Sequence, residues 1–326
     1  MTVPSLLIGD IGGTNVRFAF ADPAKVRFSG VRQYRCSEFS GPIPAIEAHL
    51  TQFGGLPPDI ICLAVAGPVS DNAAKLTNND WIVDGSNLCS AFDAATAKVI
   101  NDFEAIAISI PFLGRSDVVS IGADNENELS TDDYSVAVIG PGTGLGCAGL
   151  QKRGDDLAPI VSEAGHLPFK PENKLQANVL KVLQNRFDVV TDEHMVSGPG
   201  LENIYQALAA NEKEALQKTD AAEIFARAQL RQDPVAVESV QLFIEVLGQV
   251  AGKLALSLGT MDGVYIAGGI MKRYPELFAD SRFRSAFAHT GGNQQLMNSI
   301  PTRLITHENP GLLGAAYVAR KLYLQA

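Results

Sequence analysis

The sequence is short of positive charge, of long apolar runs and of paired cysteines, and each shortage closes off a class of function. Lys+Arg number 26 against 36 Asp+Glu, a formal net charge of −10. Non-specific nucleic-acid binding needs a basic face, so nucleic acid is not an expected partner. No uninterrupted apolar stretch approaches the ~20 residues that cross a bilayer, so no membrane is expected either. The first residues show neither a basic n-region nor a cleavage site and pass directly into Ser5-Leu6-Leu7-Ile8, which reads as a strand. Cys36, Cys62, Cys89 and Cys147 are far apart with no C-x-x-C pair. They read as reduced core residues of a cytoplasmic protein, not as metal ligands or a disulfide frame. There is no G-x-x-x-x-G-K-[ST] segment, so a phosphate site would have to be built without a P-loop lysine.

What is present is ordinary for a globular chain: 326 residues, 46% hydrophobic and 19% charged. That length allows two domains or one large α/β unit. The apolar run Leu6-Leu7-Ile8 enters Gly9-Asp10-Ile11-Gly12-Gly13-Thr14-Asn15, after which Val16-Arg17-Phe18-Ala19-Phe20 alternates like a strand. Strand, glycine-rich turn, strand is a hairpin, whereas a dinucleotide fingerprint would run on into a helix. Bare backbone N–H groups there can meet phosphate, and Thr14 and Asn15 add side-chain donors. Asp10 at the strand end is placed to hold Mg²⁺ through water, since Mg²⁺ keeps several waters and uses few carboxylates. The plainer alternative is a turn that needs only glycine. The same logic recurs mid-chain: Ser135-Val136-Ala137-Val138-Ile139 leads into Gly140-Pro141-Gly142-Thr143-Gly144-Leu145-Gly146, and an apolar run follows. Two such hairpins suggest an internally duplicated architecture that grips a nucleotide from two sides.

Between the hairpins, residues 60–69 read as a buried strand running into a turn, and Thr77-Asn78-Asn79-Asp80-Trp81 offers amides either as loop caps or as polyol contacts. In Ala97-Lys98-Val99-Ile100-Asn101-Asp102-Phe103 a β-branched run stops at two polar residues before an apolar pattern resumes. This predicts a strand ending at Asn101-Asp102 and a helix capped at or near Asp102. Asp102 is thus either a helix cap or a carboxylate held firmly at a strand tip. Residues 114–133 are polar and read as a loop or domain crossing. Ser162-Glu163-Ala164-Gly165-His166 places a Glu and a His three residues apart, too few ligands for zinc. Glu193, in the polar segment before Ser197-Gly198-Pro199-Gly200, reads alone as a solvated or capping residue. From 204 to 258 the spacing is mostly helical and core-forming. Gly263–Ile270 reads as a strand ending in Gly268-Gly269, residues 273–278 turn helical, 300–305 form a strand, and Asn309-Pro310-Gly311 opens a last helix.

Two glycine–threonine hairpins without a Walker lysine, flanking a strand-tip aspartate, resemble the actin–hexokinase–Hsp70 ATPase superfamily. The ordered set is similar to bacterial glucokinases of the ATP-dependent type: GDIGGTN at 9–15, LTNNDW at 76–81, INDF at 100–103, GPGTGLG at 140–146, EAGH at 163–166, Glu193 before SGPG, IAGGI at 266–270 and NPGLLGA at 309–315. The resemblance implies an α/β, two-lobed, actin-like (ribonuclease H-like) ATPase fold with the active-site cleft between the lobes. A small domain would take 1–112, completed by a C-terminal helix 311–326, and a large domain 113–310. It implies ATP and Mg²⁺, D-glucose as acceptor, and a cytoplasmic homodimer. Asp102 would be the general base that takes the proton of the 6-hydroxyl. Asn101, Glu163, His166 and Glu193, with Asn78 in addition, would hold the sugar. Residues 9–15, Gly142, Thr143 and Gly144 would face phosphates, and Gly268 and Gly269 the adenosine. The related repressor–kinase group usually carries a cysteine-rich zinc motif after its Glu-x-Gly-His region. None follows His166 here, so no zinc is expected. The same residues would serve a kinase of mannose, fructose or an N-acetylhexosamine, or a non-catalytic sugar sensor.

Overall fold

The computed structural model describes residues 4–54, 56–76, 79–122, 129–130, 132–209, 219–278 and 281–326. The chain divides into two compact units, residues 1–114 with 307–326, and residues 115–306.

The first unit contains β1 (Leu6–Ile11), β2 (Asn15–Ala21), β3 (Phe28–Arg35), α1 (Pro42–Gln52), β4 (Ile60–Val65), β5 (Ala73–Lys75), β6 (Ile82–Asp84), α2 (Gly85–Phe92), β7 (Thr96–Asn101), α3 (Asp102–Ser109) and the C-terminal helix Pro310–Gln325. Its main sheet has the order β3-β2-β1-β4-β7. β1, β2 and β3 pair antiparallel, and β1, β4 and β7 pair parallel. Successive side chains of a strand face opposite ways, so both sheet faces must be covered. Leu6 and Ile8 of β1 pack with Ala105 of α3 and Leu312, Ala315 and Ala316 of the C-terminal helix. Leu7 and Ile11 pack on the other side with Ile46 of α1 and Leu88 of α2. Six consecutive buried residues in β4 follow from that two-sided cover.

The C-terminal helix begins with Pro310 in its first turn, where a missing N–H costs no helical bond. Its small residues let it lie close to the sheet. A Cβ on Gly314 would overlap the carbonyl oxygen of Ala105 in α3, and one on Gly311 would stand 3.3 Å from the Asp10 carboxylate.

The second unit runs β8 (Val118–Ser120), β9 (Tyr134–Pro141), β10 (Leu145–Arg153), β11 (Asp156–Ser162), α4 (Lys174–Leu183), α5 (Gly198–Ala209), α6 (Ala221–Gln229), α7 (Pro234–Leu258), β12 (Gly263–Ile266), α8 (Phe283–Ala288), α9 (Gln294–Ser299) and β13 (Thr302–Ile305). Its sheet order, β11-β10-β9-β12-β13-β8, repeats the pattern of the first unit: an antiparallel meander, then two parallel strands beside its first member. The expected duplication is therefore present in the topology. The second sheet adds β8, antiparallel to β13. α7 is apolar and long enough to cross a membrane, but 78% of its apolar window is buried within the protein. Asp233 caps it through the N–H groups of Val235 and Ala236, and Gly259 ends it at φ 66°. Gly248 and Gly252 leave room for the backbone of α8 at Phe283 and Phe287.

Two segments depart from expectation. The polar stretch 114–133 is not all connection: Val118–Ser120 pairs with β13 as an edge strand too short to show alternation. The helical turn expected at 273–278 is 3-10 and not α: Met271–Arg273 and Pro275–Phe278 are separate turns with Tyr274 between them and Pro275 opening the second.

Gly314→Ala is expected to destabilise the first unit by about 1–3 kcal/mol, because a methyl group forced against a helix backbone must move one of the two helices. Urea denaturation followed by circular dichroism would show a lowered midpoint; an unchanged midpoint would contradict the close packing.

Candidate active site

β7 delivers Asn101 and Asp102 to the first turn of α3. Asn101, 7% exposed, is the N-cap: its Oδ1 accepts from Phe103 N at 2.9 Å and Glu104 N at 3.1 Å. Glu104 Oε2 accepts from Asn101 N at 3.4 Å, completing a capping box. Asn101 Nδ2 donates to Gly67 O at 2.9 Å, which ties α3 to the turn after β4. Capping therefore belongs to Asn101. Asp102 is the first residue of the helix, half-buried, with Oδ1 accepting from Phe103 N at 2.9 Å. A carboxylate is electrostatically favoured in a first helical turn. Burial raises the carboxyl pKa of Glu104, while its bond to Asn101 N and nearby Lys98 oppose that shift.

The two glycine hairpins have the same design. In the first, Gly12 N donates to Asn15 O at 2.9 Å, and Thr14 stands exposed at the tip. Cys36 N donates to Thr14 O at 2.9 Å and Asn79 Nδ2 to Gly13 O at 3.0 Å, so the turn is braced from two segments. In the second, Gly142 N donates to Gly144 O at 2.8 Å, Thr143 is exposed, and Gly198 N at the start of α5 donates to Gly142 O at 2.8 Å. Of the residues expected to face phosphate, Gly9 and Ile11 lie within β1. Ile11 is fully buried, and a Cβ on Gly9 would stand 2.7 Å from Leu63. Gly9 is thus required by sheet packing, and the exposed part of the turn is Gly12 to Asn15. Asn15 Oδ1 accepts from Gln33 Nε2 at 3.3 Å. Gly268, at φ 105°, lies against Pro141, where a Cβ would come within 2.5 Å of the carbonyl oxygen; Gly269 borders open space.

The structure brings Glu163, His166 and Glu193 together in the second unit. A 3-10 turn at Ala164–His166 sets Glu163 Oε2 3.5 Å from His166 Nδ1, and His166 Nε2 lies 4.0 Å from Glu193 Oε1. Glu193 Oε2 accepts from Leu145 N at 2.8 Å, beside the second hairpin. Gly165, 28 residues before Glu193, is the knot: its carbonyl accepts from Glu193 N at 2.9 Å, and it lies directly against the Leu145 backbone with no room for a side chain. Ser197 Oγ donates to Glu193 O at 2.8 Å and accepts from Gly200 N at 2.9 Å, holding the loop at the start of α5. Gly165 and Ser197 carry no chemistry of their own; contacts distant in sequence expose the part of Gly165, and local bonds that of Ser197. Asn78 lies outside the described residues.

Asp10 at the end of β1 fits a water-mediated Mg²⁺. Burial raises its pKa, and Arg17 NH1 at 3.7 Å only partly offsets this, so the carboxylate is short of positive charge. Among the described residues no three His, Cys, Asp or Glu side chains converge on a metal position. A magnesium ion here would take one carboxylate, with water and phosphate as its remaining ligands.

Asp192, beside Glu193, drew no attention in the sequence. It is 4% exposed, and its Oδ1 has no hydrogen-bond partner. Burial pushes its pKa up to about 7, against the pull of Lys253.

Two sheets of one strand order, each opening on a glycine–threonine hairpin, define the actin-like ATPase fold in its sugar-kinase form. The chain belongs to the glucokinase family: the Glucokinase family model matches residues 7–322. It is 36% identical over 315 residues to a glucokinase of Chromohalobacter salexigens, covering 97% of each chain. It is 38% identical over 314 residues to one of Nitrobacter hamburgensis, covering 95% of each. The crystal structure of a glucokinase from an Antarctic psychrotroph superposes with a TM-score of 0.84 at 33% identity, covering 98% of this chain and 100% of that one.

A raised carboxyl pKa means that the folded state binds the Asp192 proton more tightly than the unfolded chain does. Asp192 therefore costs stability as pH rises from about 4 to about 7, by at most about 4 kcal/mol. Asp192→Asn is expected to match the wild type in thermal stability at pH 4.5 and to exceed it at pH 8. Equal differences at both pH values would remove Asp192 as the source.

Proposed function

We propose that the protein transfers the γ-phosphoryl group of ATP to the 6-hydroxyl of D-glucose, giving glucose 6-phosphate and ADP. The observation that carries this reading is family membership over nearly the whole chain. A sugar hydroxyl is a weak nucleophile and must lose its proton as it attacks phosphorus. Asp102 takes that proton as general base, a contribution of about 10²–10⁴-fold. Its position suits the role: the first residue of a helix whose cap is supplied by its neighbour, so the carboxylate is fixed in place without having to close the helix itself. Phosphoryl transfer otherwise depends on positioning and charge neutralisation.

Glu163, His166 and Glu193 hydrogen-bond the ring hydroxyls. Two carboxylates on either side of one imidazole offer acceptors and a donor in a fixed arrangement, which suits a polyol. Such pairing carries specificity, because an analogue lacking a hydroxyl leaves buried polar groups unpaired, at up to ~10⁴–10⁵-fold cost. Asn101 adds the second hydrogen of its Nδ2, the first being bound to Gly67. Backbone N–H groups at Gly12–Asn15 and Gly142–Gly144 meet phosphate oxygens, and the Gly268-Gly269 turn borders the adenosine. Asp10 would hold Mg²⁺ through water, and the ion would supply charge neutralisation at the phosphates. By likeness to the family the enzyme is a cytoplasmic homodimer.

A coupled ADP-release assay with ATP, Mg²⁺ and a panel of glucose, mannose, fructose and N-acetylglucosamine tests the reading. Glucose should give the highest kcat/KM. Another sugar ranking above it would change the substrate, and no sugar-stimulated turnover at all would favour a sensor. Asp102→Ala should lower kcat by at least ~10²-fold while glucose binding, read by calorimetry, stays within about tenfold. Near-normal turnover would take Asp102 out of the mechanism.

A further inference from the structure

Behind the turn that carries Glu163 and His166, the second unit contains a cavity of about 360 Å³. One wall is a stripe of α7, Val250, Leu254 and Leu258, at helical spacing. Leu167 and Glu163 contribute the opposite side, and Asp192 reaches it from the segment before Glu193. None of the reaction steps described above uses this space. Its apolar walls and its single buried acid do not suit each other unless something else is present. Asp192 is 4% exposed, its Oδ1 is without a partner, and a buried acceptor left unpaired costs about 1–3 kcal/mol.

The charges around the cavity decide what would complete it. Glu163 and Asp192 line it together with one cation, Lys253. Lys253 Nζ is already 3.6 Å from Glu172 Oε1. Glu163 has His166 Nδ1 at 3.5 Å and Lys253 is shared with Glu172, so the buried Asp192 carboxylate is the lining acid short of a counter-charge, and an occupant is favoured by positive charge. A carboxylate accepts and does not donate, so the occupant must bring N–H or O–H donors. The walls add that the rest of it is apolar.

We propose that this cavity is a ligand site separate from the sugar and nucleotide positions, and that it takes a small monocation with an ammonium head on Asp192 and an apolar body against α7. The head pairs with the Asp192 carboxylate where that side chain lines the cavity and gives it a counter-charge. The body covers Val250, Leu254 and Leu258. The cavity shares Glu163 with the proposed sugar contacts, so occupation bears on that one side chain while the rest of the ligand lies apart from them.

Isothermal titration calorimetry on the full chain at pH 8, without sugar or nucleotide, tests the proposal independently of kinase activity. Cyclohexylammonium chloride is the probe, and cyclohexanol is its neutral counterpart of the same shape. Saturable binding of cyclohexylammonium is expected, at least tenfold tighter than that of cyclohexanol. Asp192→Asn should weaken it at least tenfold, and Lys253→Met, which removes the competing cation, should tighten it. Absence of saturable binding would show a cavity filled only by water and would overturn the proposal. Equal affinity for cyclohexanol, or unchanged affinity in Asp192→Asn, would overturn the assignment of an ammonium head to Asp192.

Discussion

The side chain of Asn101 makes three hydrogen bonds, and the placement of Asp102 follows from them. Two go to the first N–H groups of α3 and one to the carbonyl of Gly67, beyond the end of β4. A helix N-cap is worth about 0.5–2 kcal/mol, and the bond to Gly67 fixes the helix start against the neighbouring parallel strand as well. With Val65 opposite Asn101 in the β4–β7 register, the ends of both strands and the start of α3 form one braced unit. The C-terminal helix presses on the same element through Gly314. The base proposed at Asp102 has to be held to within a fraction of an ångström, and here the rigidity comes from a neighbour whose own polar atoms are almost fully committed.

The repeated sheet shows how one backbone solution is held by different side chains. Both hairpins expose a threonine at the tip and close with a short backbone bond within the turn. Cys36 and Asn79 brace the first; Glu193 and the start of α5 brace the second. The two turns differ in length, Gly12 N reaching Asn15 O and Gly142 N reaching Gly144 O, and the residues that stabilise each belong to whatever lies beside it. Neighbours this different leave little sequence likeness between the copies outside the glycine and threonine positions.

Local signals carried most of the fold. Val99-Ile100 against Asn101-Asp102, the two glycine–threonine turns and the three- and four-residue steps of α7 are all visible within ten to twenty residues, and the structure places strands, hairpins and a core helix there. What escaped was set by distant contacts. β8 is three residues whose pairing with β13 lies more than 180 residues away in sequence. The cap was expected at or near Asp102, since a carboxylate can accept from a helix N–H; the bonds of Asn101 Oδ1 to Phe103 N and Glu104 N place it one residue earlier. Asp192 read as one more polar residue beside Glu193, since burial is invisible in a segment without periodicity. Family likeness, not spacing, drew Glu163, His166 and Glu193 to notice, and the structure sets them around one imidazole.

That cluster also gives the glycines of the second hairpin two reasons to exist. A bare backbone toward phosphate is one. The other faces inward: a Cβ on Gly144 would lie 2.5 Å from Glu193 Oε2, and Gly165 presses on Leu145 from the same direction. Any side chain at either position would push Glu193 away from the Leu145 N–H and open its distance to His166. Within this unit the hairpin proposed for phosphate and the acids proposed for sugar are therefore packed as one piece, through a single backbone N–H and two missing side chains. Contacts of that kind have two settled arrangements, made or broken, more readily than a continuum between them. An enzyme that must recognise a sugar before it transfers phosphate gains from such a joint, because displacing Glu193 from the Leu145 N–H would disturb the hairpin backbone at the same moment.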